Sequence, residues 1–245
     1  MRLQGHHAIV TGGGTGIGAA IARALGAEGA KLTLVGRRRE KLEEVCAGDF
    51  DALVAPADVT VRAEVERAFA LARDAQGPVT ILVNNAGAAV GVPFAKVTEE
   101  LWRDMLAVNL DGMFHCCQAA LPDLLAVPAG RIVTVASMAG LHGFAYASPY
   151  IAAKHGAVGL TRALAAEYGR TNLRVNAVCP GFVDSDMTVQ SISNIRAKTG
   201  RSEDDARAEL ARLNPSGRLI SPEEVAAAVL DLVASERNGE AVEIA

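Results

Sequence analysis

The chain alternates short runs of branched aliphatic residues with longer stretches in which alanine, leucine and charged residues recur at helical spacing. Runs of the first kind are "HAIVTG" from His7, "KLTLVG" from Lys31, "ALVAPADV" from Ala52, "TILVNNAG" from Thr80, "GRIVTVAS" from Gly130, "LRVNAVCPG" from Leu173 and "EAVEIA" from Glu240. They are short, rich in valine and isoleucine, and mostly bounded by glycine, asparagine or proline, so each reads as a strand. Between them, "GIGAAIARALGAEG", "VRAEVERAFALARDA", "LWRDMLAVNLDGMFHCCQAALPDLL" and "YIAAKHGAVGLTRALAAEYGR" carry the helical period and are long enough for right-handed crossovers. The pattern predicts an α/β fold, a single doubly wound parallel sheet of Rossmann type with helices on both faces. No linker or repeat interrupts residues 1–245, which read as one domain. The rhythm breaks only over residues 185–215, where a polar, charge-mixed insertion reads as a substrate lid.

Composition narrows the setting. Half of the 245 residues are hydrophobic, enough for a sizeable core, and a net charge of −4 gives no electrostatic reason to expect nucleic acid or an anionic membrane. No run of about 18 apolar residues and no leader pattern stands out, so a soluble cytoplasmic protein without a membrane partner is expected. Cys46, Cys116, Cys117 and Cys179 form no CxxC pair. His115, Cys116 and Cys117 are consecutive on a predicted helix and point in different directions, so no metal site is expected.

The first chemical motif is "TGGGTGIG", Thr11 to Gly18, with a strand before it and a helix after it. Glycines there permit a tight turn and close backbone approach to a pyrophosphate at the positive start of the helix. Thr11, Gly12, Gly14, Thr15, Gly16, Ile17 and Gly18 are therefore candidate dinucleotide contacts. At the end of the next strand an acid commonly holds the adenosine ribose. This chain has Gly36 there, followed by Arg37 and Arg38. Guanidinium groups grip a phosphate with paired donors, which favours NADP(H) over NAD(H).

These residues, with "NNAG" at Asn84 to Gly87, Asn109 in "VNL", Ser137 in "VASMAG", "YIAAK" and "CPGFVDSDM", resemble in order the motif series of the short-chain dehydrogenases/reductases, over almost the whole chain. Within that family the stretch from Ser148 to Met187 looks most like the ketoreductases of bacterial polyketide and 3-oxoacyl thioester pathways. Four residues along a helix bring Tyr150 and Lys154 onto one face, so the ammonium is expected to lower the phenol pKa from its ordinary value of about 10. The resemblance implies the remaining roles. Tyr150 would protonate the carbonyl oxygen, Ser137 would polarise it, Lys154 would also hold the nicotinamide ribose, and Asn109 would support Lys154 through a water. Asp58 and Val59 would lie by the adenine, Asn85, Ala86 and Gly87 by the adenosine ribose, and Pro180, Gly181, Val183 and Ser185 by the nicotinamide.

His142 lies between Ser137 and Tyr150 and is expected to border the substrate, as is Met187 in the lid. The function implied is hydride transfer between a small-molecule ketone and secondary alcohol, with a 3-oxoacyl thioester or a cyclic or aromatic ketone as substrate. The alternatives are an NAD-dependent alcohol dehydrogenase of the same family, an epimerase, lyase or dehalogenase on the same scaffold, and a non-catalytic cofactor sensor. The dehalogenase version loses the glycine-rich loop, which this chain keeps. The family norm implies a homotetramer built from paired long helices and from the last helix and strand.

Overall fold

The computed structural model describes residues 1–48 and 50–245. Seven strands, β1 (His7–Thr11), β2 (Lys31–Gly36), β3 (Ala52–Pro56), β4 (Ile81–Asn84), β5 (Arg131–Val135), β6 (Arg174–Pro180) and β7 (Ala241–Ile244), form one sheet in the order β3-β2-β1-β4-β5-β6-β7. Every pairing is parallel. The order reverses between β1 and β4, and the loops leaving β1, β4, β5 and β6 share the carboxyl edge. A crevice at that switch point is where open α/β sheets bind ligands.

Successive strand residues divide between two cores, because side chains alternate faces. Val10, Leu34, Val83 and Val133 join Ile21, Leu25, Val229 and Leu232 of α1 (Gly16–Ala27) and α9 (Pro222–Ala234). Ile9, Val35, Leu82 and Ile132 join Phe69 of α3 (Arg62–Gln76), Leu124 of α5 (Gly112–Ala126) and Ala157 of α6 (Ser148–Glu167). Burial on both faces explains why the strands read as continuous apolar runs. Each fully buried Leu, Ile or Phe contributes roughly 1.5–3 kcal/mol relative to exposure. α9 starts at a capping box: Ser221 Oγ accepts the Glu224 N–H at 3.2 Å, and Glu224 accepts the Ser221 N–H at 2.8 Å.

Two predicted elements differ in form. The helix expected over residues 101–125 runs as α4 (Glu99–Leu106), a π-turn over Ala107–Asp111, and α5. The Gly112 N–H bonds the Ala107 carbonyl across the extra residue, and Asn109 within the bulge is buried. The strand expected over residues 52–59 stops at Pro56. Residues 185–215, read as a polar insertion, contain two helices, α7 (Asp186–Thr199) and α8 (Glu203–Ala211), separated by Gly200 at φ 71°. Their polarity conceals a small apolar cluster of their own, in which Ile192, Ala206 and Leu210 pack with Phe182, Ile195 and Leu219.

His7 sits inside β1 with Nδ1 2.9 Å from the Gly77 carbonyl and Nε2 2.9 Å from Thr33 Oγ1. Burial pushes its imidazole below the ordinary value, against the Gly77 hydrogen bond. The unfolded chain therefore binds a proton near pH 6.5 that the folded protein refuses, and stability falls as pH drops through that range. Urea unfolding at about pH 5.5 is expected to show lower stability than at about pH 7.5, before ordinary carboxylates titrate. His7→Gln should flatten that dependence; an unchanged slope would exclude His7 as its source.

Candidate active site

The loop from Thr11 to Gly18 is closed by backbone contact. A Cβ on Gly18 would lie 2.1 Å from the Gly12 carbonyl oxygen, and Gly12 itself has φ 64°. The loop is stitched to the turn after β4: Thr11 Oγ1 accepts the N–H groups of Asn85 and Ala86 at 3.0 Å each, while Asn85 Nδ2 donates to the carbonyls of Thr11 and Gly12 at 2.9 and 3.2 Å. Asn85 thus spends its amide holding the glycine loop. Thr15 caps α1 without a side-chain hydrogen bond, and no acid stands in the first turn. The amide-rich start of α1 is a cradle that side chains would fill, and it fits a pyrophosphate.

Arg37 and Arg38 follow β2 and are exposed; among the described residues neither guanidinium has a hydrogen-bond or ion-pair partner. Their neighbours do, since Arg39 pairs with Glu43 at 3.6 Å and Lys41 with Glu44 at 2.7 Å. On the adenine side, Asp58 Oδ1 accepts from the Thr60 N–H and hydroxyl at 2.9 and 2.8 Å, and Val59 packs against Gly112.

Ser137, Tyr150, Lys154 and Asn109 converge from three elements. Ser137 caps the 3-10 turn Met138–Gly140, accepting the Ala139 N–H at 3.1 Å. That turn presses so closely on α6 that a Cβ on Gly140 would lie 2.8 Å from the Lys154 carbonyl, and it brings the Ser137 hydroxyl close enough to the Tyr150 phenol to favour its ionised form. Lys154 is buried and its Nζ donates to the Val135 carbonyl at 2.9 Å. At Gly87 a Cβ would stand 2.8 Å from Asn109 Oδ1 and 3.7 Å from Lys154 Nζ, so all three residues meet at one point. Asn109 accepts from the Ala88 N–H at 3.3 Å and donates to the carbonyls of Ala88 and Met105 at 2.9 and 3.0 Å. Its amide fastens the loop after β4. Thr11, Asn84, Asn109, Thr134, Val135 and Lys154 line a cavity of about 10 Å³ beneath.

The expected lowering of the Tyr150 phenol is not found; burial sets the opposite direction. Lys154 Nζ stands 5.7 Å from the phenol ring centroid. Burial pushes the Tyr150 phenol up, outweighing the Ser137 hydroxyl that pulls it down. Burial also lowers the Lys154 ammonium to about 8, against attraction from Cys179. Desolvation, which penalises the charged form of both groups, is the larger influence on each, over Ser137 at the phenol and Cys179 at the ammonium.

At the other side of the crevice, the Gly181 N–H bonds the Ile244 carbonyl at 2.9 Å, following Pro180 at the end of β6. Buried Val183 bridges to Ile220, and Ser185 caps α7 within 3.5 Å of where a Gly16 Cβ would stand. Met187 is exposed on α7. His142 stands 3.7 Å from Glu243 of β7, so its imidazole faces the last strand. Cys117 accepts from Asn84 Nδ2 at 3.3 Å, and burial pushes its thiol up to about 12. His115 Nδ1 lies 3.1 Å from the Val59 carbonyl. Sequence reading missed Asn214, which is buried where "NPSG" looks like an ordinary turn.

The family model for short chain dehydrogenases matches residues 6–196. A Streptomyces violaceoruber protein named as a ketoacyl reductase of the granaticin polyketide synthase is 40% identical over 235 residues, covering 94% of this chain and 86% of that protein. The L-tagatose-forming galactitol 2-dehydrogenase of Cereibacter sphaeroides is 40% identical over 236 residues, covering 94% and 89%. A variant of actinorhodin polyketide ketoreductase, crystallised with NADPH, superposes with a TM-score of 0.93 at 36% identity, over 100% of this chain and 97% of that one. Strand order, the glycine cradle and likeness along nearly the whole length lead to one assignment: the chain belongs to the short-chain dehydrogenase family of oxidoreductases.

Proposed function

We propose that the protein is an NADP(H)-dependent ketoreductase that interconverts a ketone and a secondary alcohol, with Tyr150 moving the proton. The observation that carries this reading is the meeting of Ser137, Tyr150 and Lys154 at the carboxyl edge of the sheet, with the Lys154 ammonium 5.7 Å from the phenol ring and the Ser137 hydroxyl beside it. The dinucleotide, when bound, supplies or accepts the hydride. Ser137 orients the substrate oxygen and polarises it. Tyr150 donates its proton to that oxygen in reduction and removes it in oxidation. A phenol held protonated by burial suits reduction near neutral pH, because the acid is already in its donating form. Lys154 holds a buried positive charge beside the ring and would hold the nicotinamide ribose of a bound dinucleotide; Asn109 fixes the loop above it.

Gly36 in place of an acid, two unpartnered guanidinium groups and the NADPH of the actinorhodin relative support NADP(H). The substrate class favoured is a 3-oxoacyl thioester or a cyclic or aromatic ketone. Two relatives are ketoreductases of polyketide synthesis, and Val90, Phe94 and Met187 expose apolar surface on the loop after β4 and on α7. In this reading residues 1–245 are one domain with residues 185–215 as its lid, and a homotetramer works in the cytoplasm. Pairing would cover Trp102 and Phe114, exposed on α4 and α5.

A Cβ at Gly36 would meet Leu42 at 3.4 Å, an ordinary contact, so an acid fits there. Gly36→Asp with Arg37→Ala should move preference from NADPH toward NADH by about ten- to a hundredfold, the worth of one charged hydrogen bond. Unchanged preference in titrations with both dinucleotides would refute the phosphate assignment. Tyr150→Phe keeps the ring but removes the proton, so turnover of a confirmed ketone should fall by at least about 10²-fold while the dinucleotide still binds. Lys154→Ala should damage both. Near-native turnover by Tyr150→Phe would defeat the mechanism.

Without dinucleotide, Tyr150 should ionise above its ordinary value of about 10. Tyrosinate absorbance of the native protein minus that of Tyr150→Phe checks this. A component titrating below that value would mean that the Lys154 charge outweighs burial.

A further inference from the structure

Beyond β6 the sheet can no longer supply backbone partners. β6 ends at Pro180; the Gly181 N–H still reaches the Ile244 carbonyl of β7, but Phe182, two residues past the strand, lies outside the ladder. Asn214 fills the gap. Its Oδ1 accepts the Phe182 N–H at 2.7 Å, and its Nδ2 donates to the Phe182 carbonyl at 2.9 Å and to the Arg218 carbonyl at 2.6 Å. The side chain offers Phe182 the same acceptor and donor that a neighbouring strand would, and it is 2% exposed. We propose that Asn214 is a positioning residue that fixes the Gly181–Val183 loop against the Ser137 turn and anchors the returning end of residues 185–215 to that loop. The role rests on the functional reading above, because it assigns the loop to the nicotinamide end of the dinucleotide.

Three observations support the coupling. A Cβ on Gly181 would lie 2.2 Å from Asn214 Oδ1 and 3.0 Å from Met138 Sδ, so the amide, the loop and the residue after Ser137 form one close-packed stack. The segment's two ends are also joined directly, by the Asp184 N–H to the Ile220 carbonyl at 2.8 Å and the Ile220 N–H to the Phe182 carbonyl at 3.0 Å. An ion pair between Arg207 of α8 and Asp184 completes the base. These bonds tie the segment at its root, and Asn214 in addition abuts Gly181. Removing the amide strands the Phe182 N–H and frees the loop to move, and misplacement by about 1 Å at a reacting centre can cost on the order of 100-fold.

The test compares Asn214→Leu, which keeps the size of the side chain, with Asn214→Asp, which keeps the acceptor for the Phe182 N–H and loses both donors. NADPH affinity is read by fluorescence titration, folding by circular dichroism and thermal midpoint, and exposure of residues 185–215 by limited proteolysis. Asn214→Leu, still folded, is expected to bind NADPH about ten- to a hundredfold more weakly and to be cut faster within that segment, with Asn214→Asp between it and the native protein. Native affinity in folded Asn214→Leu would overturn the proposal. If Asn214→Leu does not fold, Asn214→Asp decides alone: weakened binding supports the role and native binding overturns it. Native protein that binds neither NADPH nor NADH would defeat the functional reading and this role with it, while the proteolysis comparison would still show whether Asn214 ties down the segment.

Discussion

The ammonium of Lys154 lies out of water, and much of the crevice is shaped around that fact. An isolated buried cation costs several kcal/mol in desolvation. The Val135 carbonyl offsets part of the cost, and the remainder appears as an ammonium lowered to about 8. Two glycines make the position reachable. At Gly140 only a missing side chain lets the turn after β5 press on the Lys154 carbonyl, and at Gly87 the loop after β4 passes close to Nζ and Asn109. A side chain at either position would separate Ser137 from α6 or push the β4 loop away.

The same desolvation acts on Tyr150 with opposite sign in pKa and the same sense in charge. Both groups are driven toward neutrality, phenol up and ammonium down, which a spacing argument along one helix does not reveal. Counting four residues between Tyr150 and Lys154 correctly puts them on one face. It says nothing about how much water remains there, and water content sets the sign.

The strands were legible because a parallel sheet covered on both sides requires mostly apolar runs, and seven lie in the chain, with Asn176 in β6 and Glu243 in β7 as interruptions. The glycine loop was legible because Gly12 and Gly18 each answer a backbone demand that no other residue meets. What stayed hidden depends on contacts distant in sequence. The π-turn at 107–111 inserts one residue into a helix whose periodicity looks unbroken, and only the bond from Gly112 to Ala107 shows it. α7 and α8 look like a charged insertion because their few apolar residues pack with Phe182 and Leu219, which flank the segment. His142 was expected by the substrate from its place between Ser137 and Tyr150, yet the turn after β5 directs it toward Glu243.

Three asparagines, Asn85, Asn109 and Asn214, share one physical task, which divides the labour among the polar residues of the crevice. Where strands end, backbone N–H and C=O groups lose their ladder partners and must find others. A primary amide carries both a donor and an acceptor and can replace a missing strand. Asn109 does this for Ala88 and Asn214 for Phe182, while Asn85 uses its donor alone on the Thr11 and Gly12 carbonyls; each joins segments far apart in sequence. An amide committed in this way has little capacity left for a ligand and none for proton transfer near neutral pH. In the function proposed above, the chemistry falls instead to the Tyr150 phenol, the Lys154 ammonium and the guanidinium groups of Arg37 and Arg38. Ser137 stands between the two classes, since its oxygen accepts the Ala139 N–H while its proton remains free for the phenol or a substrate.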